Sequence, residues 1–455
     1  MFTENPKRKL QLNPEGLNNV TFHHRQNLTQ RLWAFLLVAF PFLDIFLFRY
    51  SFQLFKGSLG YGPFICFYAL LPFFVVRYRF PVRVALTLGL VGGIGCLGVM
   101  NEIVTQGEFI KVFGSLIIPY VYYWYLWQYL GEDVIRAFRI YLKGALIVSA
   151  IGLMLFIDSM VSLGIYELAT SIINITKTPA SFGIRITSTL GEPTYFANTV
   201  APAGFFALMS LFFRNSELSG VFEKHGLSLS QWQSALIMAA LMLTYSTMAY
   251  MGILIAVVLH LLIKRRIRAL LIAPAIVFGL YSLATSIPEI NERIEGLRNA
   301  EEISEGDIHG SSAVLYNHAI ITWENFRRNP VFGTGLGSHV AATEKYSILR
   351  GTGLFAYEMQ NAPDASSMFL RIASELGLFG ILLVLFFLIT HYFIVDTADL
   401  EGLVLKMISA AFLVTILLQL LRQGNFILNG FPFYVYGYYF AWKQFRQRPQ
   451  VQAEA

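Results

Sequence analysis

Long apolar stretches separated by short polar turns dominate the pattern along this chain of 455 residues. An α-helix needs about 20 apolar residues to cross a bilayer, and no stretch alternates apolar and polar positions as a barrel strand would. We therefore predict an all-α integral membrane protein with about twelve transmembrane helices. The predicted spans are 32–49, 62–77, 83–100, 109–129, 141–163, 194–213, 231–247, 248–263, 268–287, 368–391, 402–421 and 426–443. The break within 231–263 is weak, which leaves the number of spans there open.

Basic residues in the turns predict how these helices are oriented. Lys and Arg concentrate in 77–83, 131–143, 264–268 and 443–448, whereas 100–109 has neither. Cytoplasmic loops of membrane proteins carry the excess of Lys and Arg. The pattern predicts that both termini are cytoplasmic.

This orientation divides the chain into regions and places two long polar segments on the outer face. The predicted regions are a cytoplasmic segment 1–31, helices in 32–287 interrupted by an outer loop 164–193, a large outer loop 288–367, helices in 368–443, and a cytoplasmic tail 444–455. The larger loop contains "LYNHAIITWENFRR" (315–328), in which apolar residues recur at helical spacing. We expect it to be partly helical and to lie over the bundle.

Composition supports a membrane protein and narrows its chemistry. Hydrophobic residues make up 55% of the chain and charged residues 14%, against about 25% charged in soluble domains. The net charge of +6 resides largely in turns, which indicates topology control rather than nucleic-acid binding. The sequence lacks HExxH, Cys/His ligand spacing, P-loop and GxSxG motifs, so we predict no metal and no cofactor. The aromatic stretch 120–130 is predicted to form an interfacial belt.

Two charges at the start of a predicted span stand out in "RITSTLGEPTYFANTV" (185–200). Arg185 alone is typical of an interfacial arginine that reaches lipid headgroups. Glu192 followed by Pro is typical of a helix start, where a carboxylate suits the helix dipole. Together they suggest a functional pair, because a charge at the membrane edge costs free energy unless it is paired or used.

The large loop contains a glycine-rich turn, "NPVFGTGLGSH" (329–339). A lone glycine pattern is a weak nucleotide-binding signal. We expect instead a flexible or close-approach turn that brings backbone N–H groups, and His339, near a ligand. The alternative is a solvated loop histidine.

The next span begins with a further group of charges. If the helix starts at about 365, Asp364, Ser367 and Arg371 share one face. Arg371 also lies four residues before Glu375, so an internal ion pair and a helix cap are the structural alternative. Arg422 lies on the same predicted outer side. Three arginines on one face favour a phosphate-rich ligand, because guanidinium stays charged and pairs bidentately with phosphate oxygens.

Three stretches together resemble the O-antigen polymerase and O-antigen ligase superfamily of polytopic bacterial glycosyltransferases. They are "RITSTLGEPTYFA", "NFRRNPVFGTGLGS" and "SSMFLRIASELGLFGILL", which occur in the family's order. The resemblance implies a GT-C-like glycosyltransferase architecture in the bacterial inner membrane, with a site that faces the periplasm. It also implies undecaprenyl-diphosphate-linked oligosaccharides as donor and acceptor, contact with membrane lipids, and a chain-length-regulating co-polymerase as a further partner.

Departures from the ligase pattern favour the polymerase branch. Ligases typically have a His-Asn pair nine residues before the Glu-Leu-Gly segment, where this chain has Ser366 and Ser367. The Glu-Pro pair is more typical of polymerases. The alternatives are an O-antigen ligase, which passes the glycan to lipid A core, and a lipid-linked glycan flippase or transporter.

The resemblance also assigns provisional roles. It implies a metal-independent inverting transfer, with Arg185, Arg371 and Arg422 as diphosphate ligands. The candidate bases are Asp364, Glu192 and His339, among which the sequence does not choose.

Overall fold

The computed structural model describes residues 34, 38, 62–78, 81–172, 179, 183–212, 217–263, 310–352, 354–396 and 398–448. Over these residues the protein is helical, and its one extended pairing is an isolated bridge between Pro179 and Ile184. The predicted all-α class is confirmed. Predicted span 268–287 and residues 288–309 of the large loop lie outside the described residues, as does span 32–49 apart from Ala34 and Val38.

Fifteen α-helices occur in the described part of the chain. They are α1 (Gly62–Arg77), α2 (Val82–Gly95), α3 (Leu97–Met100), α4 (Gln106–Tyr129), α5 (Val134–Val161), α6 (Ile165–Ile172), α7 (Pro193–Phe212), α8 (Glu217–Lys224), α9 (Gln231–Met242), α10 (Thr247–Ile263), α11 (Gly310–Arg328), α12 (His339–Tyr346), α13 (Met368–Thr390), α14 (Leu400–Arg422) and α15 (Phe431–Gln447).

Five helical segments among the described residues are long and apolar enough to cross a membrane. They are Val82–Met100, Gln106–Tyr129, Val134–Val161, Met368–Thr390 and Leu400–Arg422, and the apolar α10 is shorter. The chain is therefore a membrane-embedded protein. The polar break predicted within 231–263 separates α9 from α10, and α9 with 12 residues is too short to cross alone. A total of twelve spans stays a prediction.

Helix α14 lies at the centre of the bundle. It packs against α7, α10, α13 and α15, and most of its length is buried. Small residues allow the closest approaches, because a methyl group at Gly437 would overlap the ring of Phe412, and one at Gly204 would overlap Leu241. Glycine at such contacts is typical of helix packing in membranes.

The aromatic stretch at the end of α4 forms part of the protein core. Tyr122, Tyr125 and Trp127 are fully buried. Trp127 stacks on Phe433 of α15, with ring centroids 5.2 Å apart, and its indole N–H donates to the Phe433 carbonyl at 3.2 Å. The predicted interfacial belt is therefore wrong, because neighbouring helices cover these rings: Phe433 of α15 packs on Trp127, and Phe74 of α1 packs on Tyr122 and Tyr125.

Ion pairs identify one polar end of the bundle. Arg448, just after α15, pairs with Asp399 at the start of α14 at 2.8 Å. Lys443 pairs with Glu132, which lies between α4 and α5, at 2.5 Å. The predicted cytoplasmic turn 131–143 and tail 443–448 thus meet at the same end. The start of α7, the start of α13 and the end of α14 meet at the other end, where α11 packs on α12 and α13.

Candidate functional site: an acid–arginine cluster above a broken helix

A break in α13 determines the shape of this region. Gly377 has φ 61° and ψ −153°, so the helical hydrogen-bond ladder stops there. The break frees two carbonyls before it and two N–H groups after it. Inside a membrane protein such groups need internal partners.

The glycine-rich turn supplies those partners. The N–H of Thr334 donates to the Ser374 carbonyl at 3.2 Å, and that of Gly335 donates to the Glu375 carbonyl at 2.8 Å. On the other side of the break, the N–H groups of Leu378 and Phe379 donate to carbonyls of the same turn. All four freed groups are satisfied.

All three glycines of the turn have left-handed backbones, and Gly333 and Gly335 also lie against backbone atoms of other helices. Gly333, Gly335 and Gly337 have φ of 64°, 96° and 82°. A methyl group at Gly333 would lie 2.5 Å from the backbone carbon of Glu375. The predicted close approach is confirmed, but its partner is the protein's own helix. The expectation that the turn brings its backbone N–H groups to a ligand is wrong for Thr334 and Gly335, whose N–H groups donate to α13.

Arg371 lies in the first turns of α13 and is almost fully buried, at 6% exposure. Its Nε donates to Glu375 Oε1 at 3.2 Å, and its Nη1 donates to the Gly424 carbonyl at 3.1 Å. Its guanidinium carbon lies 4.2 Å from the centroid of the Phe426 ring. The predicted Arg371–Glu375 ion pair is confirmed.

Asp364 lies in a tight turn just before α13 and is half-buried. The helix begins at Met368 rather than at 365, because Ala365 and Ser366 have φ of 56° and 57°. A non-glycine residue in this left-handed region costs about 1–2 kcal/mol. Ser366 N–H donates to Asp364 Oδ1 at 3.0 Å, which holds the carboxylate at the turn.

The turn is also held from α14. Ser367 caps α13, and its hydroxyl donates to the Leu420 carbonyl at 2.7 Å. A methyl group at Gly424 would overlap the Asp364 carbonyl, so only glycine fits there. The residue two positions earlier, Arg422, ends α14 and is half-buried, and its Nη2 donates to the Ser311 carbonyl at 3.2 Å.

Arg185 and Glu192 flank the start of α7. Arg185 is 9% exposed, and its Nε and Nη2 donate to the carbonyls of Thr244 and Tyr245 at 3.0 and 3.1 Å. Glu192 is exposed and accepts from Thr194 Oγ1 at 3.2 Å. The helix begins at the following proline, as its Glu-Pro start predicts.

These residues form one electrostatic group, which we call the acid–arginine cluster: Arg185, Glu192, Asp364, Arg371 and Arg422. Burial raises the pKa of the Asp364 carboxyl, while the Ser366 N–H, Arg371, His318 and Arg422 oppose that rise. The surrounding protein partly desolvates the Glu192 carboxyl and so raises its pKa, opposed by hydrogen bonds from Thr194 and Tyr195 and by Arg185. The Asp364 charge raises the pKa of Glu192 further. The two carboxylates therefore lie within range of each other's charge.

His339 lies beneath this cluster rather than in solvent. It is fully buried, and its Nδ1 lies 3.0 Å from Ser374 Oγ. Its Nε2 lies 3.1 Å from Nδ1 of His318, which is equally buried. Burial, with the neighbouring His318 and Arg371, lowers the pKa of His339 well below the ordinary histidine value. The alternative of a solvated histidine is wrong.

His318 was not singled out by the sequence reasoning. It lies on the buried face of α11 with Val314, Ile321 and Asn325, which recur at helical spacing. A histidine on the apolar face of a predicted helix was the available signal. Asn325, on the same face, donates to Ser374 Oγ at 2.9 Å and to Thr334 Oγ1 at 2.9 Å, so α11 is joined both to α13 before its break and to the glycine-rich turn.

Comparison with known proteins adds a family match. Residues 233–385 match the family model described as O-antigen ligase. A search of curated proteins finds no match to the chain. The matched region includes α11, the glycine-rich turn, Asp364 and most of α13, so it covers the part of the cluster that rests on the broken helix. Members of this family are glycosyltransferase-like enzymes of O-antigen assembly, and the match does not separate polymerases from ligases. The chain therefore carries, over residues 233–385, a domain of the O-antigen polymerase and O-antigen ligase superfamily.

Proposed function

We propose that the protein is a polysaccharide polymerase that joins undecaprenyl-diphosphate-linked repeat units of O-antigen or a related surface glycan. The observation that carries the proposal is the packing of the half-buried Asp364 against Gly424, whose carbonyl accepts from Arg371 and which follows Arg422 by two residues. A carboxylate beside guanidinium groups provides a proton acceptor and stabilisation for a departing diphosphate in one place.

The proposed step is a single displacement. The hydroxyl oxygen of the incoming repeat unit attacks the anomeric carbon of the growing chain and forms the new glycosidic bond. The bond from that carbon to the diphosphate oxygen breaks, and its electron pair leaves with the undecaprenyl diphosphate. The hydroxyl proton passes to a carboxylate. Attack from the face opposite the leaving group inverts the anomeric centre, and no metal takes part.

Among the three candidate bases, Asp364 is our choice. It is half-buried and lies among two arginines, whereas His339 is fully enclosed by protein. Glu192 lies within range of the Arg185 charge, and we assign it the role of balancing that charge. Arg422 is more accessible than Arg185 or Arg371, so it is the arginine best placed to meet the diphosphate first.

The proposed setting is the bacterial inner membrane, with both termini cytoplasmic and the cluster on the periplasmic side. Two features support it: the basic turns meet at the end of the bundle opposite the cluster, and the family acts in O-antigen assembly. Surrounding lipids, and a separate protein that regulates chain length, are the further proposed partners.

A ligase is the second candidate, because the matching family model is described as O-antigen ligase. Against it, the positions of the ligase His-Asn pair have structural roles here. Ser366 Oγ accepts from Asn361 Nδ2 at 3.0 Å, and Ser367 caps α13. Neither hydroxyl can replace an imidazole as a base.

Reconstitution separates these functions. The purified protein in liposomes is given undecaprenyl-diphosphate repeat unit alone, and products are resolved as a ladder. We expect a ladder of lengths that is lost in Asp364→Asn and kept in Glu324→Gln, which changes a half-buried residue of α11 that pairs with the exposed Arg327. A product that forms only when lipid A core is added would show a ligase. Transbilayer movement of the repeat unit without a new glycosidic bond would show a transporter.

A further inference from the structure

The two buried histidines have hydrogen-bond roles that the surrounding groups determine. A backbone carbonyl can only accept, and His318 Nε2 lies 2.8 Å from the Gln360 carbonyl. Nε2 of His318 therefore carries a proton. In the neutral ring, Nδ1 is then an acceptor, so the proton between His318 and His339 belongs to His339 Nε2.

The same hydrogen-bond argument applies to the contact of His339 with Ser374 of α13. With Nε2 protonated, the Nδ1 of neutral His339 accepts, and Ser374 Oγ is its donor at 3.0 Å. Ser374 Oγ in turn accepts from Asn325 Nδ2. One direction of donation thus runs from Asn325 through Ser374, His339 and His318 to Gln360. A proton added to either imidazole reverses or breaks it.

This series of hydrogen bonds ends at the turn that contains Asp364. Asn361, directly after Gln360, has φ 59°, and Ala365 and Ser366 are also left-handed. Such residues persist where surrounding contacts determine the backbone. The His318–Gln360 bond holds the entry of this turn, and the Ser367–Leu420 bond holds its exit.

We infer that His318 is a positioning residue, which, with His339 behind it, holds the strained turn 360–366 and so fixes the Asp364 carboxylate against the arginines. This inference rests on the proposed role of Asp364. Burial lowers the pKa of both histidines, which favours the neutral rings that the hydrogen-bond directions require. The charged groups that face the pair are Asp364, Arg371 and Arg422.

Two substitutions of His318 distinguish the role of its Nε2 from that of its Nδ1. His318→Gln places an amide near the Nε2 position and retains a donor for the Gln360 carbonyl. His318→Asn places its amide near Nδ1 and loses that donor. We expect His318→Asn to lower kcat about 100-fold, with KM for the lipid-linked repeat unit unchanged, and His318→Gln to retain most of kcat. The matched control is His225→Asn, since His225 pairs with Glu401 at the opposite end of the bundle.

Nitrogen NMR of the full-length, histidine-labelled protein in nanodiscs tests the tautomers directly. Signals removed by His318→Gln and by His339→Gln should belong to neutral, Nε2-protonated rings at pH 7. A cationic or Nδ1-protonated ring at either position would overturn the inference. So would equal kcat values for wild type and His318→Asn, with thermal unfolding run on each variant to exclude misfolding.

The two hypotheses fail separately. If the protein forms no glycan ladder, the proposed function is wrong while the tautomer signals remain. If the ladder forms but the rings titrate freely, the proposed function stands and the positioning role is wrong.

Discussion

The Arg371 guanidinium and the Glu375 carboxylate form an ion pair one helical turn apart, at 3.2 Å, with both side chains almost completely buried. Their position above the break at Gly377 joins the charged cluster to the glycine-rich turn. Arg371 also binds the Gly424 carbonyl, so the pair connects α13 to the segment after α14.

Arg371→Met should therefore destabilise the protein strongly. It leaves the Glu375 carboxylate buried without its counter-charge, which typically costs about 3–5 kcal/mol. The double variant Arg371→Met/Glu375→Gln should recover much of this loss, because no uncompensated charge remains. Denaturant unfolding in detergent measures both.

Arg327→Met is the matched control for that series. Arg327 forms an exposed pair with Glu324, and such pairs contribute about 0–1 kcal/mol. Equal losses at 327 and 371 would contradict a structural role for the buried pair.

Gly333→Ala should lower thermal stability, since a methyl group there would overlap the Glu375 backbone and the residue would be left-handed. The conformational term alone is about 1–2 kcal/mol. Gly89→Ala in α2 is the control, because no atom lies within 4 Å of its added methyl group. Alanine favours a helix over glycine by about 1 kcal/mol, so this variant should match or exceed wild type. A similar loss in both variants would refute the contact between turn and helix.

Arg185→Ala should abolish polymer while the protein level stays unchanged. Two carbonyls already orient the guanidinium, so the charge is fixed in place before substrate binds. Arg185→Lys should also fail, because an ammonium cannot reproduce the planar fork. Long chains made by Arg185→Ala would remove this residue from the site, and near-normal activity of Arg185→Lys would reduce its role to simple charge.

The acid limb of the pH–rate profile should lie above the ordinary aspartate pKa of about 3.9. A base acts in its charged form, and burial raises the pKa of Asp364, so higher pH is needed to ionise it. Arg422 lowers that pKa, so Arg422→Ala should move the limb to still higher pH. Rates of ladder formation measured across a range of pH locate the acid limb. If the limb of Arg422→Ala lies at the wild-type pH, Arg422 does not act on the pKa of Asp364. At pH values above the wild-type limb, where Asp364 is ionised, Asp364→Asn should lose about 10²–10⁴-fold in rate.

The sequence predicted elements better than it predicted contacts. The lengths of the apolar stretches located most of the long helices, and helical spacing of apolar residues located the helix in the large loop. Both signals arise because burial in lipid or protein requires apolar faces over whole turns. It misplaced the rings of Tyr122 and Trp127, because an aromatic stretch that faces another helix has the same composition as one that faces headgroups.

Charge patterns located the residues of the candidate site but not the contacts that hold them together. The Arg371–Glu375 pair follows from helical spacing, which is a local property. The contacts of His318 with Gln360 and of Gly424 with Asp364 join distant segments, and no local pattern encodes them. Likewise, glycines that fit a helix break look the same in sequence as glycines that fit a phosphate.

The four backbone hydrogen bonds around the helix break at Gly377 also restrict where residues can be inserted or deleted. Two N–H groups of the turn and two of α13 pair in fixed register, across Pro330 to Gly335 and Ser374 to Phe379. One residue inserted or deleted within either segment would shift every donor away from its acceptor and leave polar backbone groups unpaired inside the protein. In the connection between α12 and the turn 360–366, the hydrogen bonds between backbone groups of the described residues are local and join no other helix. We therefore expect natural insertions and deletions in this domain to occur in that connection. The two hydrogen-bonded segments, 330–335 and 374–379, should keep their length even where their side chains differ.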